Sequence, residues 1–232
     1  MSRIALRHLP DPDCLEFSWP DDCVCVVHGH GGALAGKLSE RLVEKGWQVV
    51  LLTGVPAAAT DGVPMLFVNP ADASSLDKAL QTIGREHGRV AAYIEIGAPP
   101  ETPAADLLSQ SSKAALKSAF LGAKSLMPLL TDPALPRAWH VTVNRFDGSL
   151  GLAGSDSSTG RTGGGIFGLS KTLGREWPSV SCRSLDLHPD FTLEEAVDIV
   201  VDELFDPDSS VAEIGRRPEG RFTIAATEQS HA

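Results

Sequence analysis

Between Cys23 and Leu52 the sequence passes from strand periodicity to helix periodicity and back. Cys23-Val24-Cys25-Val26-Val27 is an apolar, β-branched run that ends in His28-Gly29-His30-Gly31-Gly32. Leu34, Leu38, Leu42 and Val43 then recur at helical spacing as far as Gly46, which stops the helix. Trp47-Gln48-Val49-Val50-Leu51-Leu52 follows as a second strand, closed by Thr53-Gly54. Strand, glycine turn, helix and strand within about 30 residues make a βαβ unit, which requires a parallel sheet with a right-handed crossover.

The alternation continues along the chain. Met65 to Val68 reads as a third strand, Leu76 to Arg85 as a helix, and Val90 to Ile96 as a fourth strand. A long helix is expected from Ala104 to Leu130, with Leu116, Phe120, Ala123, Met127 and Leu130 along its buried stripe. Trp139 to Val143, Gly165 to Glu176, Val180 to Leu187 and Leu193 to Leu204 alternate as strand, helix, strand and helix. Glu213-Ile214-Gly215 with Arg221 to Ile224 supplies a last strand or hairpin. The expected architecture is α/β: a Rossmann-like, doubly wound parallel sheet of six to seven strands in three α/β/α layers. Residues 1–20 read as a loose lead-in or an edge strand around Leu15 to Phe17, residues 21–226 as a single domain, and residues 227–232 as a polar tail. At 232 residues and 42% hydrophobic content, the chain can bury a core without a disulfide or a metal staple.

Charge narrows the function classes. Twenty basic against thirty acidic side chains leave a formal net charge of -10, and such a field repels polyanions. The densest basic cluster, Arg216, Arg217 and Arg221, is too small to reverse this, so nucleic acid is not an expected partner. No apolar run reaches the length of a membrane helix, and the start lacks a signal-peptide core. Cys14, Cys23, Cys25 and Cys182 read as free thiols, with Cys23 and Cys25 two residues apart on one strand face where they cannot bridge. A reducing, cytoplasmic compartment is the expectation.

In a doubly wound sheet the chemistry gathers beyond the carboxyl ends of the strands, and the first βα turn cradles a pyrophosphate. Gly29, Gly31 and Gly32 are the candidate cofactor-binding glycines, with alanines at the later small positions. The second strand ends in Leu52-Thr53-Gly54-Val55, without the Asp or Glu of an NAD site or the Arg of an NADP site. His28 and His30 share a strand face, but no carboxylate or cysteine is spaced nearby to complete a metal shell, so no metal is expected. Ser155, Ser157, Ser158 and Thr159 with Asp156 form a hydroxyl-rich loop without a Gly-x-Ser-x-Gly frame, which argues against a nucleophilic hydrolase.

Three segments resemble the short-chain dehydrogenase/reductase superfamily, in order and correctly spaced. Lys117-Ser118-Ala119-Phe120-Leu121-Gly122-Ala123-Lys124, with Pro128 behind, is similar to that family's long helix after the fourth strand. Gly168-Leu169-Ser170-Lys171-Thr172-Leu173-Gly174-Arg175-Glu176-Trp177 is similar to its helix after the active-site loop. Cys182 to Pro189 is similar to its sixth strand and the turn beyond. Together with Val143-Asn144-Arg145-Phe146-Asp147-Gly148-Ser149-Leu150-Gly151-Leu152, these resemble a sub-branch. It comprises the ketoreductase regions of iterative type I polyketide synthases and polyunsaturated fatty acid synthases. Such regions hold a structural half and a catalytic half that binds NADPH, and this chain is most similar to the structural half.

The resemblance implies a tyrosine proton donor, an activating lysine, a serine and an asparagine. Carried onto this sequence, the tyrosine position falls near Ser158 or Thr159, the lysine near Gly163, the serine on Arg145 and the asparagine on Ala115. Tyr93, in the fourth strand, is the only tyrosine of the chain. Phe167-x-x-x-Lys171 imitates the Tyr-Lys spacing with a ring that carries no proton, and a lysine from the long helix, Lys113 or Lys117, would still lack its tyrosine. No catalytic residue and no cofactor are therefore expected. The resemblance implies a non-catalytic domain supporting a catalytic ketoreductase, with other synthase domains or an acyl carrier protein as further partners. The alternative is an NADPH-dependent β-ketoacyl reductase that uses Ser158 or Thr159 in an atypical site. A free-standing sensor of nucleotides or acyl-carrier partners is a third.

Overall fold

The computed structural model describes residues 2–15, 17–30, 32–54, 62–69, 72–97, 110–152 and 160–228. Their strands form one nine-stranded sheet in the order β1-β9-β8-β7-β6-β5-β2-β3-β4. The strands are β1 (Ser2–Leu9), β2 (Cys23–Gly29), β3 (Val49–Thr53), β4 (Met65–Phe67), β5 (Arg89–Ile96), β6 (Ala138–Asn144), β7 (Val180–Leu187), β8 (Glu213–Arg217) and β9 (Gly220–Glu228). The seven from β4 to β8 are parallel, as the βαβ pattern requires. The chain reverses its direction of travel across the sheet between β2 and β5, which makes that gap the topological switch point.

Helices cover both faces. α1 (Leu34–Glu44) and α5 (Leu193–Phe205) pack on one side, over Cys25, Val27, Ile94, Val141 and Leu185. α2 (Ala73–Glu86), α3 (Gln110–Leu130) and α4 (Gly160–Glu176) pack on the other, over Val26, Leu52 and Tyr93. Local chemistry fixes the helix ends. Gly46 stops α1 with φ +83°, a conformation that favours glycine, and a Thr192–Glu195 capping box starts α5.

Several expectations differ in detail from the structure. The amino-terminal strand is Ser2–Leu9, paired antiparallel with β9 from Ser2↔Glu228 to Leu9↔Arg221, and not a strand around Leu15 to Phe17. Nor is the lead-in loose. Phe17 and Trp19 join Trp47, Trp139 and Phe205 in an aromatic cluster, and Trp19 and Trp47 stack at 4.0 Å between ring centroids. With β1 and the β8–β9 hairpin, nine strands are described where six to seven were expected. The buried stripe of α3 is also shifted, to Ala119, Ala123, Leu126 and Leu130, which leaves Phe120 60% and Met127 49% exposed. Gly122, one residue before Ala123, lets α3 approach α2, where a Cβ would stand 3.2 Å from Leu76 Cδ2. Of the four cysteines, Cys23, Cys25 and Cys182 are buried thiols, and Cys14 is exposed.

Candidate functional site

A band of polar side chains crosses the α3/α4 face of the sheet near the carboxyl ends of its strands. Because alternate residues of a strand share a face, β2 contributes His28, β5 Tyr93 and Glu95, β6 His140, Thr142 and Asn144, and β7 Ser184 and Asp186. All are buried. The strand register sets His28 opposite Glu95, and His30, just past β2, reaches the same point.

The band has two centres. At the switch point, His28 Nδ1 lies 2.6 Å from the Tyr93 hydroxyl, and His30 Nε2 lies 3.0 Å from Glu95 Oε1. Burial drives the His28 imidazole down to about 4, with His30 adding to the shift, so it stays neutral at pH 7. Burial also pushes the Glu95 carboxyl up, but the hydrogen bond and charge of His30 outweigh it and leave the group below its ordinary value. Burial raises the Tyr93 phenol well above its usual range, with the Glu95 charge second.

The second centre fastens the loop after β6. Asp186 accepts from Phe146 N at 2.9 Å and from Leu150 N at 2.8 Å, while Asp147 accepts from Ser149 N at 2.7 Å. Leu150 is held at φ +57°, a strained conformation for a non-glycine residue. Thr142 bonds Ser184 at 2.9 Å and Ser170 of α4 at 3.3 Å, tying the band to the helix above. Burial, then the neighbouring Asp147, pushes Asp186 up to about 7 against the pull of its backbone donors. From pH 4 to 7 the folded chain therefore keeps a proton the unfolded chain has released. This contribution makes stability fall as pH rises, by up to about 1.4 kcal/mol per pH unit. D186N, which cannot titrate but gives up one of the two accepted backbone bonds, is expected to lack that slope in urea melts across this range, on top of a constant offset from the wild type. A wild-type-to-variant difference that stays constant with pH would refute the assignment.

The structure separates the family-like positions. Tyr93 is 2% exposed in mid-sheet, engaged with His28. Arg145, at the serine position, turns away and donates to the carbonyls of Pro189 (2.8 Å) and Phe191. Gly163 falls in the first turn of α4. Lys113 and Ala115 fall in α3, and their side chains lie outside the described residues, as do Ser155, Ser157, Ser158, Thr159 and Asp156. Phe167 is buried against Phe146. Lys171 is three turns down α4 and pairs with Glu213 at 2.5 Å, far from the strand tips. It lines a cleft of about 460 Å³ at the amino ends of β6 and β7, together with Arg137, Arg175 and Cys182.

The glycine turn can be tested against a dinucleotide. A Cβ on Gly29 would stand 2.7 Å from Ala35 Cβ, so its missing side chain makes room for α1 and not for a phosphate. Gly32 holds φ +84°, a requirement of the turn itself, and Gly31 lies outside the described residues. Beside this turn stands the buried Glu95 carboxylate, whose charge opposes a pyrophosphate. These residues do not fit that group. What sequence reading misses is Glu95 itself, 65 positions from His30 and brought beside it only by the β2–β5 pairing.

No family model matches the chain. A subunit of the polyunsaturated fatty acid synthase from Thraustochytrium sp. (strain ATCC 26185 / S-3) is 31% identical over 219 residues, 88% of this chain. The chain spans 7% of that relative's length. Among solved structures, a multidomain adenylation, ketoreductase and pseudo-Asub structure of a keto acid-selecting NRPS module superposes with a TM-score of 0.71. The match has 13% identity and covers 97% of this chain and 18% of that one. A short-chain dehydrogenase from Rhodopseudomonas palustris superposes at 0.64 with 15% identity, over 86% of this chain and all of that one.

Proposed function

We propose that this chain, which has the short-chain dehydrogenase/reductase fold, is a non-catalytic ketoreductase-like domain. It supports a catalytic ketoreductase within a polyunsaturated fatty acid or polyketide synthase. The observation that carries the reading is Tyr93: the one tyrosine of the chain is locked in β5, buried and hydrogen-bonded to His28. A ketone bound beyond the strand tips has no phenol to take a proton from, whichever lysine stands nearby. The misfit of the glycine turn to a pyrophosphate supports the same conclusion, because a reductase without NADPH has no hydride.

Similarity to one segment of a far longer synthase polypeptide supports a partner on the same assembly line. Phe120 and Met127 of α3, seven residues apart and exposed on one helical stripe, support such a contact. A neighbouring synthase domain, the catalytic ketoreductase first among them, is the occupant this reading assigns.

Titration calorimetry with NADPH, and NADH as control, tests the reading. No binding heat at millimolar cofactor is expected. A micromolar dissociation constant would overturn it and make Ser158 and Thr159 the residues to mutate in a β-ketoacyl reduction assay.

A further inference from the structure

We propose that His28, His30 and Glu95 form a binding site for one divalent transition-metal ion, with Zn²⁺ the ion their donors suit. Two imidazoles and a carboxylate are a zinc donor set that leaves one position open. The ligand atoms of the three residues all lie within 4.8 Å of one another. The closest pair, His30 Nε2 and Glu95 Oε1, is 3.0 Å apart. Tetrahedral zinc with bonds of about 2.0–2.1 Å holds its ligand atoms about 3.3 Å apart, so small side-chain rotations close the shell.

The surroundings suit an ion as well. Tyr93 meets His28 at Nδ1. With Nδ1–H donating to the phenol oxygen, the lone pair lies on Nε2, the tautomer a metal requires. His30 is a quarter exposed, so the fourth position opens to water. The site also sits at the topological switch point, where folds of this kind place their ligands. The carboxylate that repels a phosphate here attracts a cation. Bound there, the ion ties the glycine turn to β5, and this inference stands whether or not the chain is catalytic.

The test is Co²⁺ titration of the full chain after chelator dialysis, followed by displacement with Zn²⁺ in competition with a chromophoric chelator. One ion per chain is expected, with the visible d–d bands of four-coordinate Co²⁺ that Zn²⁺ abolishes, and a higher melting temperature with Zn²⁺. H30Q and E95Q are each expected to weaken binding at least tenfold, and Y93F by less. C14S, which removes the exposed thiol, should change nothing. His30 is the most exposed ligand, so H30Q keeps the test valid even where E95Q fails to fold. Absence of the bands at excess Co²⁺, or wild-type affinity in H30Q, would overturn the site.

Discussion

Replacing Glu203 with alanine is expected to destabilise the fold by about 3–5 kcal/mol, the cost of breaking a buried ion network by removing its central partner. The Glu203 carboxylate, on α5, has no exposure. Arg221 of β9 donates to it through Nε and Nη2, both at 2.8 Å. Arg183 of β7 stands at 3.3 Å and Arg216 of β8 at 3.6 Å. One side chain thus fastens the last helix to three consecutive strands. Burial pushes its pKa up, and the guanidiniums, Arg221 first, pull against that. Without Glu203, Asp206 remains as counter-ion to Arg221 at 2.5 Å and to Arg183 at 3.8 Å, too little for three cations. Urea unfolding would read the effect as a lower midpoint with an unchanged slope. A loss under about 1 kcal/mol would mean that water reaches the network and the charges are not truly desolvated.

Gly148→Ala should be almost as damaging, by about 2–5 kcal/mol, through backbone strain plus overpacking. Gly148 holds φ +65°, and an added Cβ would press into the Arg216 carbonyl and stand 2.7 Å from Arg217 Cγ. Gly215 meets the same seam from the other side, against the Gly148 carbonyl. The loop after β6 therefore lies directly on the backbone of β8. Gly84 in α2 is the matched control. Nothing stands within 4 Å of its would-be Cβ, so Gly84→Ala should add about 0.5–1 kcal/mol of helix stability. Paired thermal melts decide the matter, and equal effects in the two variants would contradict the packing described.

The parallel sheet is legible in the sequence because its strands, β8 apart, carry their own apolar runs and the helices between them their own period. β7 can be read to the residue, from Val180 to Leu187. What escapes is information held between distant segments. Ile4, Leu6 and Leu9 are interleaved with Arg3, Arg7 and His8, and nothing local marks them as a strand. Their partner, β9, lies more than 200 positions away in the chain. The α3 stripe misleads for a different reason. Phe120 and Met127 are apolar and fit a helical stripe of their own, but the stripe that packs inward is Ala119, Ala123, Leu126 and Leu130. At the site, the His28–His30 pair is visible, and so is Tyr93 as the one tyrosine of the chain. Glu95 cannot be assigned to the pair from sequence, because only the register of β2 against β5 brings it there.

The pairing of β1 with β9 bears on how such a domain can be wired into a larger machine. Ser2 faces Glu228 across the ladder, so the two backbones stand about 5 Å apart. Any polypeptide continuing from both sides would enter and leave through a single doorway. The domain would then hang as a side branch, and its presence would barely alter the path between whatever precedes and follows it. Insertion at such a point carries little loop-closure entropy, which is why domains with adjacent termini tolerate transplantation into new chains. Pulling on the two ends would peel β1 from β9 one hydrogen-bonded pair at a time, leaving the parallel core for last.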